Sequence, residues 1–249
     1  MKRLFTVLSC LALVGTLLGT LAWGASEHDD AVARLKNSAE VLKAVASNPD
    51  KGIPDEVVAR SKCIVVIPNL VKAGLVVGGK YGRGVAVCRT NARANSGWSA
   101  PAFITIGGGS IGAQVGAEGI DLVMVVMNDK GVQRLLATKT EFTLEGSVAA
   151  GPVGKHVSVG SDSSLDSEIL TYSRTKGVFA GQALEGASVG QDQDATTAIY
   201  GSEIPLDKIL GGQVAAPSPA APLLHEVAEL GREAAAQQAR QQTPQRMNK

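Results

Sequence analysis

The chain has 249 residues, of which 45% are hydrophobic and 29 are glycine, and its formal net charge at pH 7 is +1. This length fits one domain of ordinary to large size with tails, and the hydrophobic content is sufficient for a buried core. The near-neutral charge excludes a dedicated nucleic-acid binder, because such proteins carry a strong basic surplus.

The N-terminus has the pattern of a secretory signal peptide. Lys2 and Arg3 form a basic segment, and an apolar run from Leu11 to Trp23 follows it. Because Ala22 and Gly24 place small side chains at the third and first positions before the cut, cleavage is predicted after Gly24. The cleaved chain would be periplasmic or secreted. An uncleaved anchor stays open, because the apolar run is only slightly shorter than the roughly 20 residues that span a bilayer.

Two helices are predicted at the start of the mature chain. Over about residues 27–47, apolar side chains recur at steps of three or four, which indicates one apolar stripe along a helix. Lys36 and Lys43 lie along one border of this stripe. A second, short helix begins at Pro54, because proline and the acids that follow it favour a first helical turn.

The middle of the chain, about residues 62–190, is predicted to form strands separated by Gly and Asn turns. The predicted strands are Cys63–Ile67 (ended by Pro68), Leu70–Lys80, Gly84–Arg89, Ala102–Ile106, Ile111–Glu118, Asp121–Met127, Phe142–Ala150 and Gly177–Val189. One helix interrupts them, from about Asp129 to Lys139. The pattern predicts an α+β fold with an antiparallel sheet, or a curled double sheet rich in Gly turns, covered by the N-terminal helices and this internal helix.

The C-terminal part returns to helical patterns. Asp192 or Asp194 caps a predicted helix that reaches Tyr200, and Pro205 starts another that reaches Leu210. Residues 215–222 have the Ala/Pro/Ser composition of a linker. The Ala/Gln/Arg-rich remainder is predicted to be a low-complexity tail, either a solvated helix or disordered.

Glycine-rich turns produce matches to nucleotide-binding patterns that fail on their context. Residues 74–80 have the spacing of a phosphate-binding P-loop, but Tyr81 stands where Ser or Thr would hold magnesium, and a strand follows instead of a helix.

The histidines of the mature chain, His28, His156 and His225, are too widely spaced for a zinc site. We therefore expect no nucleotide, no metal and no other cofactor.

One motif points to an enzyme. The segment Gly108–Gly112 matches the nucleophile elbow of serine esterases, and Asp121 or Asp129 and then His156 follow in the order of that fold. An elbow needs a helix straight after the serine, whereas alternating, Gly-rich sequence follows Ser110. A serine esterase is therefore kept only as a distant third hypothesis, and the chain is predicted not to be an enzyme.

A series of short motifs runs in order between residues 51 and 200. They are Lys51–Pro54, Lys62–Pro68, Val71–Gly74, Gly97–Phe103, Gly112–Gly116, Asp121–Val123, Val148–Gly154 and Tyr172–Gly181. In order and spacing they resemble the signatures of the SYLF family. The predicted organisation is a signal peptide at 1–24, a SYLF-like lipid-binding domain at 25–211 with core motifs at 51–200, and a Pro/Ala linker and low-complexity tail at 212–249.

The resemblance implies a phospholipid-binding domain without catalysis, whose partner is an anionic phospholipid or a membrane surface. Eukaryotic members bind phosphoinositides and in some cases actin filaments, whereas bacterial members are exported single domains. The helix at 27–47 corresponds in place to the amphipathic N-terminal helix of lipid-binding relatives, although its stripe equally fits packing onto the sheet as core. A structural protein–protein adaptor that uses the same Gly-rich surface is the alternative function. The protein partner is unknown, and neither nucleic acid nor nucleotide is expected.

Basic residues beside the Gly-rich motifs are the predicted contacts to lipid head groups, because each lysine or arginine near an anionic surface contributes about 1 kcal/mol. We expect them to gather on one face of the domain. The predicted lipid-binding residues are Lys72, Lys80, Arg83, Arg174 and Lys176 beside the motifs, together with Lys36 and Lys43 from the N-terminal helix.

Two cysteines, Cys63 and Cys88, remain after removal of the signal peptide. An even pair in an oxidising compartment predicts a disulfide. Because Leu70–Lys80 is predicted as a strand between them, the bond requires the sheet to curl or the first strand to lie across it. The alternative is a pair of buried, reduced thiols.

Overall fold

A computed structural model describes residues 26–48, 52–74, 77–90, 97–111, 116–137, 140–141, 148–152, 167–173 and 186–246. The predicted signal peptide lies outside these residues. Within them, a twisted sheet is covered by helices on both faces, which confirms the predicted α+β class. No helix of the described part is long and apolar enough to cross a membrane.

The described strands form two groups of four, separated by one helix and flanked by helices on both sides. In order the described elements are α1 (residues 26–46), α2 (Asp55–Arg60), β1 (Cys63–Gly74), β2 (Val77–Cys88), β3 (Ala102–Ile111), β4 (Gly116–Val126), α3 (Asp129–Leu136), β5 (Thr140–Glu141), β6 (Val148–Ala150), β7 (Ile169–Ser173), β8 (Ala187–Gln191), α4 (Gln193–Tyr200), α5 (Leu206–Leu210), a short 3-10 helix (Ser218–Ala220) and α6 (Ala221–Arg246).

The described strands form one sheet in the order β5-β8-β3-β2-β1-β4-β7-β6. Neighbours are antiparallel except β6 and β7, which run parallel, so the sheet is mixed rather than purely antiparallel. The four long strands β3, β2, β1 and β4 occupy its centre. Because β1 and β2 pair along nearly their whole length, they form a hairpin that reaches from Cys63 and Cys88 at one end to Gly74 and Gly78 at the other.

The predicted strand break at Pro68 is wrong. β1 continues through Pro68, and its pairing with β4 shifts register between Ile67 and Leu70, where a β-bulge lies. A bulge tolerates proline because the ladder needs no N–H there. The bulge is held by Asn69, which has a φ of 54° and whose backbone N–H donates to Asp121 Oδ1 at 3.1 Å. The sequence therefore contains long strands where six shorter ones were predicted between residues 63 and 127.

Strand alternation gives the sheet two apolar faces. One carries Val66, Val85 and Phe103 and packs against α1, α2 and α6. The other packs against α3 and α5, which contribute Leu135 and Ile209. The apolar stripe of α1 lies inside the first layer, so this structure shows the stripe as core.

The segment with linker and tail composition also contributes to this core. The 3-10 helix leads directly into α6, which packs against α2. Its apolar side chains recur at helical spacing and are buried, namely Leu223, Val227, Leu230 and Ala234. This part of the predicted tail is therefore neither a solvated helix nor disordered, because one stripe of α6 completes the layer beneath α1 and α2.

Candidate functional site

The candidate site lies at the end of the β1–β2 hairpin beyond the bulge. Val71 and Tyr81 are directly opposite each other there, and their exposed fractions are 39% and 55%. Among the described residues, they are the large hydrophobic side chains that remain exposed. Isolated exposed apolar residues are ordinary, but a cross-strand pair beside basic residues forms a small apolar patch that needs an explanation.

A cleft of about 380 Å³ lies between α1 and this end of the hairpin. α1 contributes Asp30, Ala33, Arg34 and Asn37 to its walls, and Tyr81 and Arg83 line it from β2. The exposed Val71 and the bulge residue Asn69 also border it. The apolar patch and the cleft are therefore continuous, and both lie on the sheet face that α1 covers.

A partly buried ion network borders the cleft, with the buried Asp192 at its centre. Arg34 Nη1 donates to Asp192 Oδ2 at 2.8 Å, and Arg83 Nε donates to the same oxygen at 3.0 Å. Glu27 accepts a hydrogen bond from Arg83 Nη2, and its Oε1 lies 3.7 Å from Arg34 Nη2. The guanidinium of Arg34 also lies 5.5 Å from the centre of the Phe103 ring, within cation–π range. The network joins α1, β2 and the start of α4.

Asp192 also caps α4, as one of the two sequence alternatives predicted. Its Oδ1 accepts a hydrogen bond from the Ala195 N–H at 3.2 Å. Burial alone would raise the pKa of Asp192, but the hydrogen bonds from Arg83, Arg34 and the Ala195 N–H hold it below the usual range of an aspartate. Burial lowers the pKa of Arg83, yet the hydrogen bonds to Asp192 and Glu27 outweigh it and raise that pKa above its ordinary value. Asp192 and Arg83 are therefore both charged at neutral pH.

The predicted lipid-binding residues that the structure describes do not gather on one face. Lys72 and Lys80 are directly opposite each other in β1 and β2, but they point away from α1, on the face opposite Arg83. Lys72 is half-buried, whereas Lys80 is only 5% exposed and is not part of an accessible surface.

The remaining predicted lipid contacts are scattered. Lys36 is exposed on α1, and Lys43 is held by Glu226 of α6 at 3.2 Å. Arg83 belongs to the ion network described above. Arg174 and Lys176 lie outside the described residues.

The described part of the esterase motif, Gly108 to Ile111, lies in strand β3. Ser110 belongs to β3, opposite Gly78 of β2, rather than at a strand-to-helix turn. Asp121, one of the two candidate acids, instead accepts a hydrogen bond from the backbone N–H of Asn69 at the bulge. His156 lies outside the described residues. Within the described part there is no group of His, Cys, Asp and Glu that could hold a metal ion.

Cys63 and Cys88 form a disulfide in this structure, with their Cα atoms 3.9 Å apart. From the sequence alone, this bond is expected to require the sheet to curl or the first strand to lie across it. Neither is needed, because no strand separates the two cysteines in the sheet. They are directly opposite each other in neighbouring strands β1 and β2.

Sequence reasoning missed the Arg34–Arg83–Asp192 arrangement and the role of Tyr81. Asp192 is separated from Arg34 by 158 positions and from Arg83 by 109, so no local spacing joins them. Tyr81 entered only as the residue that spoils a P-loop. A large aromatic side chain directly after a lysine in a Gly-rich strand was the available signal.

Comparison with known proteins places the chain in a family. The family model described as "Ysc84: Las17-binding protein actin regulator" matches residues 107–230. The chain is 37% identical over 175 residues to SH3 domain-containing protein PJ696.02 of Schizosaccharomyces pombe. The aligned region covers 69% of this chain and 40% of that protein. The chain is also 33% identical over 198 residues to Protein YSC84 of Saccharomyces cerevisiae, covering 76% of this chain and 41% of that protein.

A human relative shows a similar degree of likeness. SH3 domain-containing YSC84-like protein 1 of Homo sapiens is 31% identical over 197 residues, covering 78% of this chain and 56% of that protein. The chain therefore spans about half the length of the curated relatives that it matches. No solved structure matches it. On these matches, and on the motif series between residues 51 and 200, the chain belongs to the SYLF family, whose matching model bears the name Ysc84.

Proposed function

We propose that this chain is an exported, non-enzymatic protein that binds anionic phospholipid at a membrane surface of the cell envelope. Family membership supports a binding role, and the family description names a protein partner rather than a reaction. The observation that carries the lipid proposal is the exposed Val71–Tyr81 pair next to Lys72 at the end of the β1–β2 hairpin.

The apolar pair is suited to the interface of a bilayer. Tyrosine has an apolar ring and a polar tip, and such side chains are enriched where hydrocarbon meets water. Full burial of a side chain the size of valine contributes about 1.5–3 kcal/mol. A half-exposed pair provides enough for reversible, peripheral binding but not for stable anchoring, which takes more than one signal.

Lys72 supplies the second signal. Lys72 follows Val71 directly. It is opposite Lys80 in β2, and two like charges at directly opposite positions destabilise a sheet. On its other side it is opposite Glu118 in β4. A lysine near an anionic surface contributes about 1 kcal/mol. Because Lys72 points to the opposite face from Tyr81, the hairpin end would enter the interface edge-on, with the apolar pair on one side and the lysine on the other.

The apolar stripe of α1 does not provide this surface in the present structure. Leu35 and Leu42 have no exposed area and pack in the layer beneath α1. Membrane insertion of this stripe would remove it from the core. The proposed surface is therefore the hairpin end.

Vesicle flotation of the mature chain, residues 25–249, tests this proposal. The double variant Val71→Thr, Tyr81→Ser replaces the apolar pair with polar side chains. We expect at least tenfold weaker binding to vesicles that contain phosphatidylglycerol. Lys72→Glu should also weaken binding at least tenfold, because the charge is reversed near the surface.

The matched control for Lys72 is Lys208→Glu on α5. Lys208 is exposed, and Gly212, just after α5, lies against Thr90 beyond the other end of β2. The same charge change there should alter vesicle binding less than twofold. Wild-type protein that fails to float with anionic vesicles would refute the proposed function.

A protein–protein adaptor is the second candidate. The family model is described as Las17-binding, which names a protein partner for that family. The vesicle experiment separates the two functions, because an adaptor that uses the same surface would not float with protein-free lipid.

Export is the remaining part of the proposal, and it is supported by the basic and apolar segments of the N-terminus. An intact mass that corresponds to a chain starting at Ala25 is the expected result for protein isolated from its native compartment. A mass that still includes residues 1–24 would contradict cleavage.

A further inference from the structure

We propose that the cleft between α1 and the β1–β2 hairpin binds a primary alkylammonium group. Such a group is carried by a lysine side chain of a partner polypeptide and by free aliphatic amines. This ligand is separate from the membrane contact proposed above, although Tyr81 takes part in both. At about 380 Å³, the cleft lies near the lower end of the range for small-molecule sites, which suits a slender aliphatic chain.

The formal charge around the cleft favours a cation. Asp192 accepts hydrogen bonds from Arg34 and Arg83, and both guanidinium charges are balanced within the ion network. Glu27 pairs with the same two arginines. Asp30 is an exposed carboxylate in the cleft wall, and among the described residues it has no ion-pair partner. Three carboxylates therefore stand against two guanidinium groups, a formal balance of −1 that attracts one positive charge.

Tyr81 supplies an aromatic wall for the ammonium group. Its side chain lines the cleft and is 55% exposed, so the ring is accessible to a ligand. The face of an aromatic ring attracts an ammonium group that lies within about 6 Å of the ring centre. Val71, opposite Tyr81 in β1, adds an apolar surface for the methylene groups of the ligand. The apolar pair thus suits the stem, and the ring face and the Asp30 carboxylate suit the charged end.

The β-bulge brings an additional residue into the cleft wall. The pairs Val66–Val85 and Val71–Tyr81 lie on either side of it. Between them lie residues 67–70 of β1 but only 82–84 of β2, so β1 has one residue more than a regular ladder requires. Asn69 lines the cleft at this point with a φ of 54°, a left-handed conformation that is uncommon for residues other than glycine. Because bulges are over-represented next to active sites, this one supports a binding role for the cleft.

Titration of the mature chain with Nα-acetyl-lysine amide, followed by backbone amide resonances, tests the site. The side chain of this probe carries the ammonium group, and its blocked backbone carries no other charge. We expect saturable shifts at Ala33, Asn37 and Asn69, all of which line the cleft. Nα-acetyl-norleucine amide has a similar stem without the ammonium group and should give no saturable shift.

Matched variants locate the two interactions with the cation. Asp30 and Asp29 are adjacent and exposed, but Asp30 lines the cleft whereas Asp29 does not. We expect Asp30→Asn to weaken binding of the lysine probe by about fivefold and Asp29→Asn by less than about twofold, because an exposed ion pair is worth little more than this. Tyr81→Phe keeps the ring and should bind like the wild type, whereas Tyr81→Leu should bind about threefold more weakly. Thermal unfolding of each variant checks that the fold is retained.

Cadaverine separates the two sources of the ammonium group. Tighter binding of cadaverine than of Nα-acetyl-lysine amide would identify a free amine as the ligand, and the reverse order would identify a lysine side chain. Absence of saturable binding of both probes, or equal affinities of Asp30→Asn and Asp29→Asn, would overturn the site.

This proposal and the membrane function fail independently. Amine binding is measured without lipid, and vesicle flotation is measured without amine. Wild-type flotation without saturable amine binding would overturn the ammonium site alone. Saturable amine binding without flotation would support the site and refute the membrane function.

Discussion

Replacement of Asp192 by alanine is expected to lower the free energy of unfolding by about 3–5 kcal/mol. The substitution removes the carboxylate that is hydrogen-bonded to Arg34, which is only 7% exposed, and leaves it the more distant Glu27 at 3.7 Å. It also removes one of the two partners of Arg83. It also removes the cap of α4, which by itself contributes about 1 kcal/mol. Urea unfolding of the mature protein measures the loss, which is a large share of the 5–15 kcal/mol typical of a domain.

Two further variants separate the ion network from the cap. Asp194→Ala removes an exposed acid of the same helix and should change stability by less than about 1 kcal/mol. Asp192→Asn keeps an acceptor for the Ala195 N–H but removes the charge, so we expect an intermediate loss. If Asp192→Ala and Asp194→Ala cost the same, the network does not stabilise the fold.

The stability difference between the wild type and Asp192→Asn should also depend on pH. The pKa of Asp192 is lower in the folded state than the value of about 3.9 for an unfolded aspartate. Its ionised form therefore contributes stability that is fully present above about pH 4 and is lost as the pH falls through the folded pKa. The difference should be constant near neutral pH and shrink in acid. A difference that grows as the pH falls below 4 would have the wrong sign for this interaction.

Loss of the Cys63–Cys88 disulfide is expected to cost about 3 kcal/mol of unfolding free energy. The bond closes a loop with a sequence separation of 25, and a cross-link of that length restricts the unfolded chain by about this amount. Cys63→Ala combined with Cys88→Ala, measured by urea unfolding, should show the loss. The two positions are buried, so the small alanine side chains leave little strain beyond the missing bond.

Reductant provides the control for this prediction. It should destabilise the wild type and have no effect on the variant that lacks both cysteines. Intact mass spectrometry of unreduced protein from its native compartment should find no free thiols. Alkylation of two thiols in that sample would show that the cysteines are reduced and serve as small core residues.

The sequence contained most of the helix and strand content of this fold, and its errors have physical causes. The period of three or four residues across α1 reports a stripe that is indeed buried. Pro68 led to a wrong strand end, because a proline interrupts a regular ladder but fits a β-bulge. Whether a bulge forms depends on the pairing with the partner strand, which the local sequence does not show. In α6, the spacing of Leu223, Val227, Leu230 and Ala234 was a helical signal that Pro, Ala and Gln composition obscured.

The candidate site was less accessible to sequence reasoning. Motif resemblance indicated the hairpin residues, including Lys72, but not the direction in which their side chains point. The bulge in β1 puts Val71 on the face of α1, opposite Tyr81, and Lys72 on the other face, opposite Lys80. The ion network joins residues from three distant segments, and such contacts follow from packing of the complete fold rather than from local patterns.

Fluorescence of a tryptophan at position 81 tests the central claim most directly. In the mature chain the native tryptophan is Trp98, which is 1% exposed, so Tyr81→Trp adds one accessible fluorophore at the proposed membrane contact. Gln133→Trp on α3 is the matched control, because Gln133 is exposed and α3 lies at the Val126 end of β4, away from the end of the hairpin. On saturation with vesicles of brominated phosphatidylglycerol, we predict a blue shift and quenching of Trp emission in Tyr81→Trp but not in Gln133→Trp. Unquenched emission from position 81 at saturating lipid would contradict the account.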